Sequence, residues 1–462
     1  MTMHLPAIRD LIDDAWETPG TELDGTLEDP ATGQVLSRAV ATTADRLERA
    51  LAVSDHAAGR IEPETLEAIA DDLEPCLERI AELDAFATGV PLRQTRPLGA
   101  IVAGSFRLAA DRIRAGALRA DRDGVEVHRL PLGPALCLVP WNAPAPMAAH
   151  KVANALAAGC PVILKVSESA PYSAVILAEV IAERVPAGMF QLVHGDADTG
   201  ARLTADARIK AVSFTGGVAG GRAVAGASAP LLRPCQLELG GNNPLVVLPD
   251  ADTRTTARMA AELLTTLNGQ WCRALGRLIV PAARAGELRE AIGKELATLS
   301  IGPPLDPGTD MGPLVHSRHV AAIRAVLDRS GHHAYGLVPE SGNYCAPAFL
   351  DGDSPEEIFG PVAGVVTYDR IEDAVHIANA VPYGLEGYVC GTDTEFALAV
   401  ARRIRAGEVK VNGSSIMSLH PMTPRPAWGI SGLGEEGTSE TLQFFTGARV
   451  VGVEGRFALH TS

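Results

Sequence analysis

From Ala135 onward, short apolar runs alternate with amphipathic stretches of helical length, and this rhythm constrains the fold more than any other feature of the chain. The runs ALCLV, PVILK, FQLVHG, KAVSF, QLELG and PLVVL are strand-sized, while PMAAHKVANALAAG and SAVILAEVIAERV between them are helix-sized. Strands apolar on both faces must be covered twice, and parallel neighbours need a crossover, so the pattern predicts βαβ units with a parallel sheet between helical layers. A second series begins at about Asp252: helices over DTRTTARMAAELLTTL, AGELREAIGKELATL and EDAVHIANAV, strands over GRLIV and GPVAGVVTY. Upstream, residues 64–118 read as helical, with Leu66, Ile69, Leu73, Leu77, Ile80 and Leu83 at three- and four-residue spacing and a kink expected at Pro75.

A chain of 462 residues holds about three domains' worth of sequence at roughly 150 residues each. Its formal charge of −16, with no long Lys/Arg run, excludes nucleic acid and anionic membrane as expected partners. Hydrophobic residues at 47% against 21% charged describe a globular protein with a large core. The start, MTMHLPAIRDLIDDAW, lacks the basic-then-apolar pattern of a secretory signal, and no apolar segment is long enough to span a membrane, so a cytoplasmic protein is expected. The seven cysteines are odd in number, scattered and without CxxC spacing, which predicts neither a disulfide framework nor a metal site.

Four segments stand out together: PWNAP at 140–144, ELGG at 238–241, GQWC at 269–272 and EEIFGPV at 356–362. In this combination and order the sequence resembles the aldehyde dehydrogenase superfamily, from DPATG at 29–33 to the C-terminal strand, with support from ILKVSE at 163–168, SFTGG at 213–217, GTDMGPLV at 308–315, PYGLEGYV at 382–389 and SGLGEEG at 431–437. The resemblance implies an α/β fold: a Rossmann-like NAD-binding domain (1–118 and 133–239), an α/β catalytic domain (240–439), and a small β oligomerisation element (119–132 and 440–462) that joins subunits into a homodimer or homotetramer.

Cys272 follows the turn signal Asn268-Gly269-Gln270 and precedes a predicted short helix, whose N-terminus would lower a thiol pKa. By resemblance it is the nucleophile that converts an aldehyde to a thiohemiacetal, whereas the other six cysteines read as inert. Glu238, where a strand-like run meets two glycines, matches the base that activates water for thioester hydrolysis. Asn142 and the Cys272 backbone N–H match an oxyanion hole, and Lys151 and Glu436 match a proton path behind the base.

For the cofactor, Lys165 and Glu168 emerge at the C-terminal end of PVILK, where open parallel sheets bind ligands. A carboxylate at 168 accepts bonds from ribose hydroxyls and repels a 2′-phosphate, which favours NAD over NADP. Gly216 and Gly221 would admit the pyrophosphate to a helix N-terminus, and Glu357 and Phe359 match positions holding the nicotinamide ribose. Trp141, Phe214, Gly217 and Leu239 complete the implied cofactor set. Departures from the family pattern are Gly217 for a common Ser, Val166 for a frequent Pro, and Pro426, Ala427 and Gly429 in PRPAWGISG, which predict weaker cofactor affinity and a reshaped loop at the substrate mouth.

The expected substrate wall comprises Ala143, Pro146, His150, Trp271 and Arg273. Ala143 and His150 stand where the family often has aromatics, and Arg273 adds a fixed charge, so the small-molecule aldehyde is expected to be polar or anionic; the alternative is that Arg273 turns away to an acidic neighbour. The leading expectation is oxidation to the carboxylic acid. A coenzyme A-acylating enzyme and a catalytically silent binding subunit are the competing readings.

Overall fold

The computed structural model describes residues 3–57 and 59–453. Both stretches of alternating texture fold as sheets with helical layers. The first sheet has the order Ala15–Glu17, Asp10–Ile12, Phe190–Val193, Val162–Lys165, Ala135–Leu138, Ala211–Thr215, Cys235–Glu238 and Gly432–Leu433. Its interior strands are parallel, and the terminal additions pair antiparallel. From Ala135–Leu138 the chain first steps outward through Val162 and Phe190, then returns to the other side through Ala211 and Cys235. That reversal opens a crevice beyond the carboxyl ends of Ala135–Leu138 and Ala211–Thr215, the usual place for a ligand in an open sheet.

The second sheet runs His332–Ala334, Ala348–Asp351, Val362–Tyr368, Leu275–Pro281, Asn243–Val247, Glu386–Cys390 and Glu408–Val411. All neighbours are parallel except the first pair. Glu238 ends a strand of the first sheet and Cys272 lies just before Leu275–Pro281 of the second, so the two residues belong to opposed strand ends.

The helical region resolves into Pro63–Leu73, Leu77–Thr88 and Leu92–Arg114. Pro75 sits in a single tight turn, Glu74–Cys76, that separates the first two, a break where the sequence predicts a kink, because proline lacks the N–H to continue the ladder. Helix Pro144–Ala157 is buried on nearly every side; its alanines let Phe106, Leu164 and Leu442 pack closely around it.

The hairpin Arg119–Arg122 with Val125–Pro131 is joined by Thr446–Val451 into a three-stranded antiparallel sheet. The remainder of the expected C-terminal strand, beyond Val453, lies outside the described residues. No helix among the described residues is long and apolar enough to cross a membrane.

Candidate active site

The loop that carries Cys272 is held in an unusual backbone. Leu267, Asn268 and Gly269 are consecutively left-handed, with φ of 49°, 59° and 71°, a conformation costly for the two non-glycine residues. Asn268 compensates from within the core: its Nδ2 donates to the carbonyls of Gly89 at 2.8 Å and Pro313 at 2.9 Å, and its Oδ1 accepts from Gly312 N at 2.8 Å. Gln270 likewise accepts from Val315 N at 2.8 Å and donates to Thr88 O. Gly269 allows the closest approach, since a Cβ there would stand 2.3 Å from the carbonyl carbon of Gly360. GQWC is thereby packed directly on EEIFGPV.

Cys272 occupies a turn that enters strand Leu275–Pro281, and no helix follows it. The expected helical lowering of the thiol pKa is therefore absent, because the apolar run LGRLIV is drawn into the sheet. Burial, and then the Glu238 carboxylate, push the thiol well above its usual value. The backbone on either side is fixed: Asn243 Nδ2 donates to Cys272 O at 2.9 Å and Ala274 O at 2.8 Å, and the Tyr388 hydroxyl donates to Arg273 O at 2.7 Å.

Across the gap between the sheets, Cys272 Sγ donates to Glu238 Oε1 at 3.3 Å. Burial raises the Glu238 carboxyl above the usual carboxylate range, with the Glu436 charge adding to it. Such a carboxyl holds and releases protons nearer neutrality than a solvated one. Asn142 Nδ2 donates to Gln270 O at 2.9 Å, which fixes the amide beside the nucleophile loop. Cys272, Glu238 and Asn142 line one cavity of about 350 Å³.

On one side this cavity is walled by Trp141, Gly216, Gly217, Glu357 and Phe359. Trp141 and Phe359 meet edge-to-face at 5.6 Å, and both pack against His319, which sequence reasoning did not single out. His319 Nε2 donates to Phe359 O at 2.6 Å, and burial lowers its pKa to about 4, so a neutral ring pins the loop. Glu357 Oε1 accepts from Gly241 N at 3.0 Å, and its carboxyl is raised to about 7 by burial.

Helix Val218–Ser228 starts just after Gly217 and turns its free N–H groups toward this side. Gly221 lies within that helix, where a Cβ would come within 2.5 Å of buried Leu239; its smallness serves helix-to-strand packing. Gly216 similarly admits the ring of Phe214. Lys165 is buried, and burial lowers its pKa; its Nζ approaches Glu168 at 3.9 Å. Glu168 lines a separate cleft together with Glu22, Asp24, Glu28 and Asp196.

This arrangement meets its relatives directly. The model of the aldehyde dehydrogenase family matches residues 18–451. The chain belongs to the aldehyde dehydrogenase family. It is 32% identical to the 4-(hydroxymethyl)benzenesulfonate dehydrogenase of Comamonas testosteroni, over 94% of this chain and 96% of that protein. It is 33% identical to a non-phosphorylating aspartate-semialdehyde dehydrogenase of Halomonas elongata, over 92% and 91%. The crystal structure of a Mycobacterium tuberculosis aldehyde dehydrogenase complexed with NAD+ superposes with a TM-score of 0.90 at 29% identity, covering 98% of this chain and 99% of that one.

The other half of this aldehyde dehydrogenase's cavity has a character the sequence reading only partly anticipated. Ala143, Pro146 and Trp271 line it as expected, but Leu98, Ile101, Met147, Leu267 and Ile416 make the wall largely apolar. These residues come from distant segments with ordinary core patterning, which carries no local signal. One expected substrate residue needs correction. His150 is buried behind the wall, its Nε2 near Thr441 Oγ1 at 3.2 Å and Arg425 Nη2 at 3.3 Å. Helix Pro144–Ala157 turns Pro146 and Met147 toward the cavity and points His150 into the packing behind it.

Arg273 touches the cavity, yet its guanidinium pairs with Glu386, approaches Glu408 at 3.5 Å and shares those acids with Lys410. The geometry is that of the acidic-neighbour alternative.

Behind the base, Lys151 Nζ donates to Glu436 Oε1 at 2.6 Å and to Ser213 Oγ at 2.8 Å, all three buried. Against burial, the Lys151 ammonium holds the Glu436 carboxyl below its usual range. Arg425, also on the cavity wall and not singled out from sequence, stands opposite Glu436 in a short antiparallel pairing. It lies within PRPAWGISG, the segment whose departures predict a reshaped loop.

Proposed function

We propose that this enzyme oxidises an aldehyde to a carboxylic acid with NAD, through a thioester on Cys272 that Glu238 hydrolyses. The observation that carries the reading is the 3.3 Å contact between Cys272 Sγ and Glu238 Oε1 inside a cavity that also holds Asn142. A carboxylate at that distance takes the thiol proton as the thiolate adds to the carbonyl carbon. The Asn142 amide, joined by the Cys272 backbone N–H, stabilises the negative oxygen of the adduct. Once that proton has passed to solvent and the thioester has formed, the Glu238 carboxylate, ionised again, deprotonates an entering water, which favours hydrolysis over transfer to coenzyme A. We assign Lys151 and Glu436, whose charge raises the Glu238 carboxyl, to a proton path behind the base.

NAD, when bound, supplies the hydride acceptor. The residues fit it: Thr215 Oγ1, on the cavity wall, is buried with no partner among the described residues, and the Nζ of buried Lys165 stands 3.9 Å from Glu168. Glu357 and Phe359 would hold the nicotinamide ribose, Gly216, Gly217 and the N-terminus of helix Val218–Ser228 the pyrophosphate, and Lys165 and Glu168 the adenosine ribose. The cleft around Glu168 sets five acids against Arg318 and His316, a balance that disfavours a 2′-phosphate. We further infer a cytoplasmic homodimer or homotetramer, assembled through the three-stranded sheet.

The test is reduced-cofactor formation with an aldehyde panel. Turnover should be faster in kcat/KM with NAD than with NADP and vanish in Cys272→Ala. Retained turnover in that variant would remove Cys272 as the nucleophile, and an NADP preference would overturn the ribose assignment.

A further inference from the structure

Arg425 is a cation on the cavity wall whose one carboxylate contact among the described residues is long and shared with Lys151. Its side chain is 24% exposed, its Nη2 donates to His150 Nε2 at 3.3 Å, and its Nε and Nη1 meet no protein acceptor among the described residues. The closest carboxylate oxygen, Glu436 Oε2, is 3.8 Å away, and Glu436 is already neutralised by Lys151 at 2.6 Å. His150 offers no charge, because burial and the Arg425 guanidinium lower its pKa to about 3. Arg273 is consumed by Glu386 and Glu408. At the outer rim Arg93 pairs with Asp310, and Arg258 stands 3.8 Å from Glu262.

The cavity that Arg425 lines also has apolar wall residues, Met147, Trp271, Ile416, Leu98 and Ile101. A guanidinium so loosely paired, in a partly apolar cavity, binds an oxyanion through two N–H donors more strongly than it would in water. Glu238 and Glu357, the other acids of the cavity, face Cys272 and Gly241 N respectively.

We propose that Arg425 is a specificity-determining residue that binds a carboxylate or sulfonate carried by the substrate, so that the site prefers aldehydes with an apolar body and an anionic group. The aldehyde part of this proposal rests on the reading of Cys272 as nucleophile; the anion subsite rests on Arg425 itself.

The experiment compares kcat/KM for 4-formylbenzoate and 4-formylbenzenesulfonate with that for methyl 4-formylbenzoate, in the wild type, Arg425→Leu and Arg425→Lys. Wild type should favour both anions, and the anion-to-ester ratio should fall about 10- to 100-fold in Arg425→Leu, the range expected for a lost charge-assisted hydrogen bond. Arg425→Lys should keep part of the ratio. Absence of an anion preference in the wild type, or equal losses on anion and ester, would overturn the proposal and assign Arg425 to holding Glu436. Calorimetric titration with terephthalate separates this from the catalytic reading. Binding that weakens at least about tenfold in Arg425→Leu while no aldehyde is oxidised would leave the subsite standing and sink the reaction. Oxidation of the ester with no Arg425-dependent binding would do the reverse.

Discussion

At the scale of single residues, the chemistry depends on a thiol and a carboxyl that perturb each other. Cys272 is pushed up by burial first and by the Glu238 carboxylate second. A raised thiol pKa means less thiolate at neutral pH, and a neighbouring negative charge raises it further. Replacing Glu238 by Gln removes that charge and should move the pH midpoint of Cys272 alkylation by iodoacetamide downward, followed by peptide mass in the cofactor-free protein. An unchanged or higher midpoint would show that the two groups do not interact as the 3.3 Å contact requires. Arg273 acts in the opposite sense, its guanidinium lowering the thiol's pKa from a position locked by Glu386. The sequence shows Arg273 beside the nucleophile but not its partners, which lie 113 and 135 residues away. It likewise contains Arg425 without any local sign that the residue reaches the cavity. Both facts depend on how distant strands converge.

At the scale of elements, what the sequence discloses follows from periodicity. Apolar runs such as VILK and LVV form buried parallel strands because no other arrangement covers both faces. Pieces of two or three residues leave no such trace. Asp10–Ile12 and Gly432–Leu433 extend the first sheet at its two ends, the latter from within the range expected for the catalytic domain. The helix expected after Cys272 is replaced by a strand, since a few residues of GQWCRA cannot outweigh the apolar run that follows. The three-stranded sheet presents Val450, Val451 and Leu130 to solvent along with the open edge Arg119–Arg122. Unpaired edges and exposed apolar strands seek partners. Light scattering at micromolar concentration should therefore return a dimer or tetramer mass, and shortening the chain after Phe445 should shift it toward monomer. A monomeric full-length chain would refute the assembly.

At the scale of the molecule, the site exists because two parallel sheets meet end to end. The first contributes Glu238 at a carboxyl end and the crevice at its strand reversal; the second contributes Cys272 at the entry to Leu275–Pro281. Neither sheet alone holds both a nucleophile and a base. The account's central claim is that Glu238 is needed to hydrolyse a thioester already formed on Cys272. The direct measurement is a single-turnover experiment with Glu238→Gln, NAD and an aldehyde, followed by absorbance and intact-protein mass. The account predicts nearly one equivalent of reduced cofactor per active site, formed more slowly than in the wild type, an acyl mass retained on Cys272, and a steady-state rate lower by about 10²- to 10⁴-fold, the span of general-base effects. Steady turnover at the wild-type rate, or loss of the burst with no acyl adduct on Cys272, would contradict it.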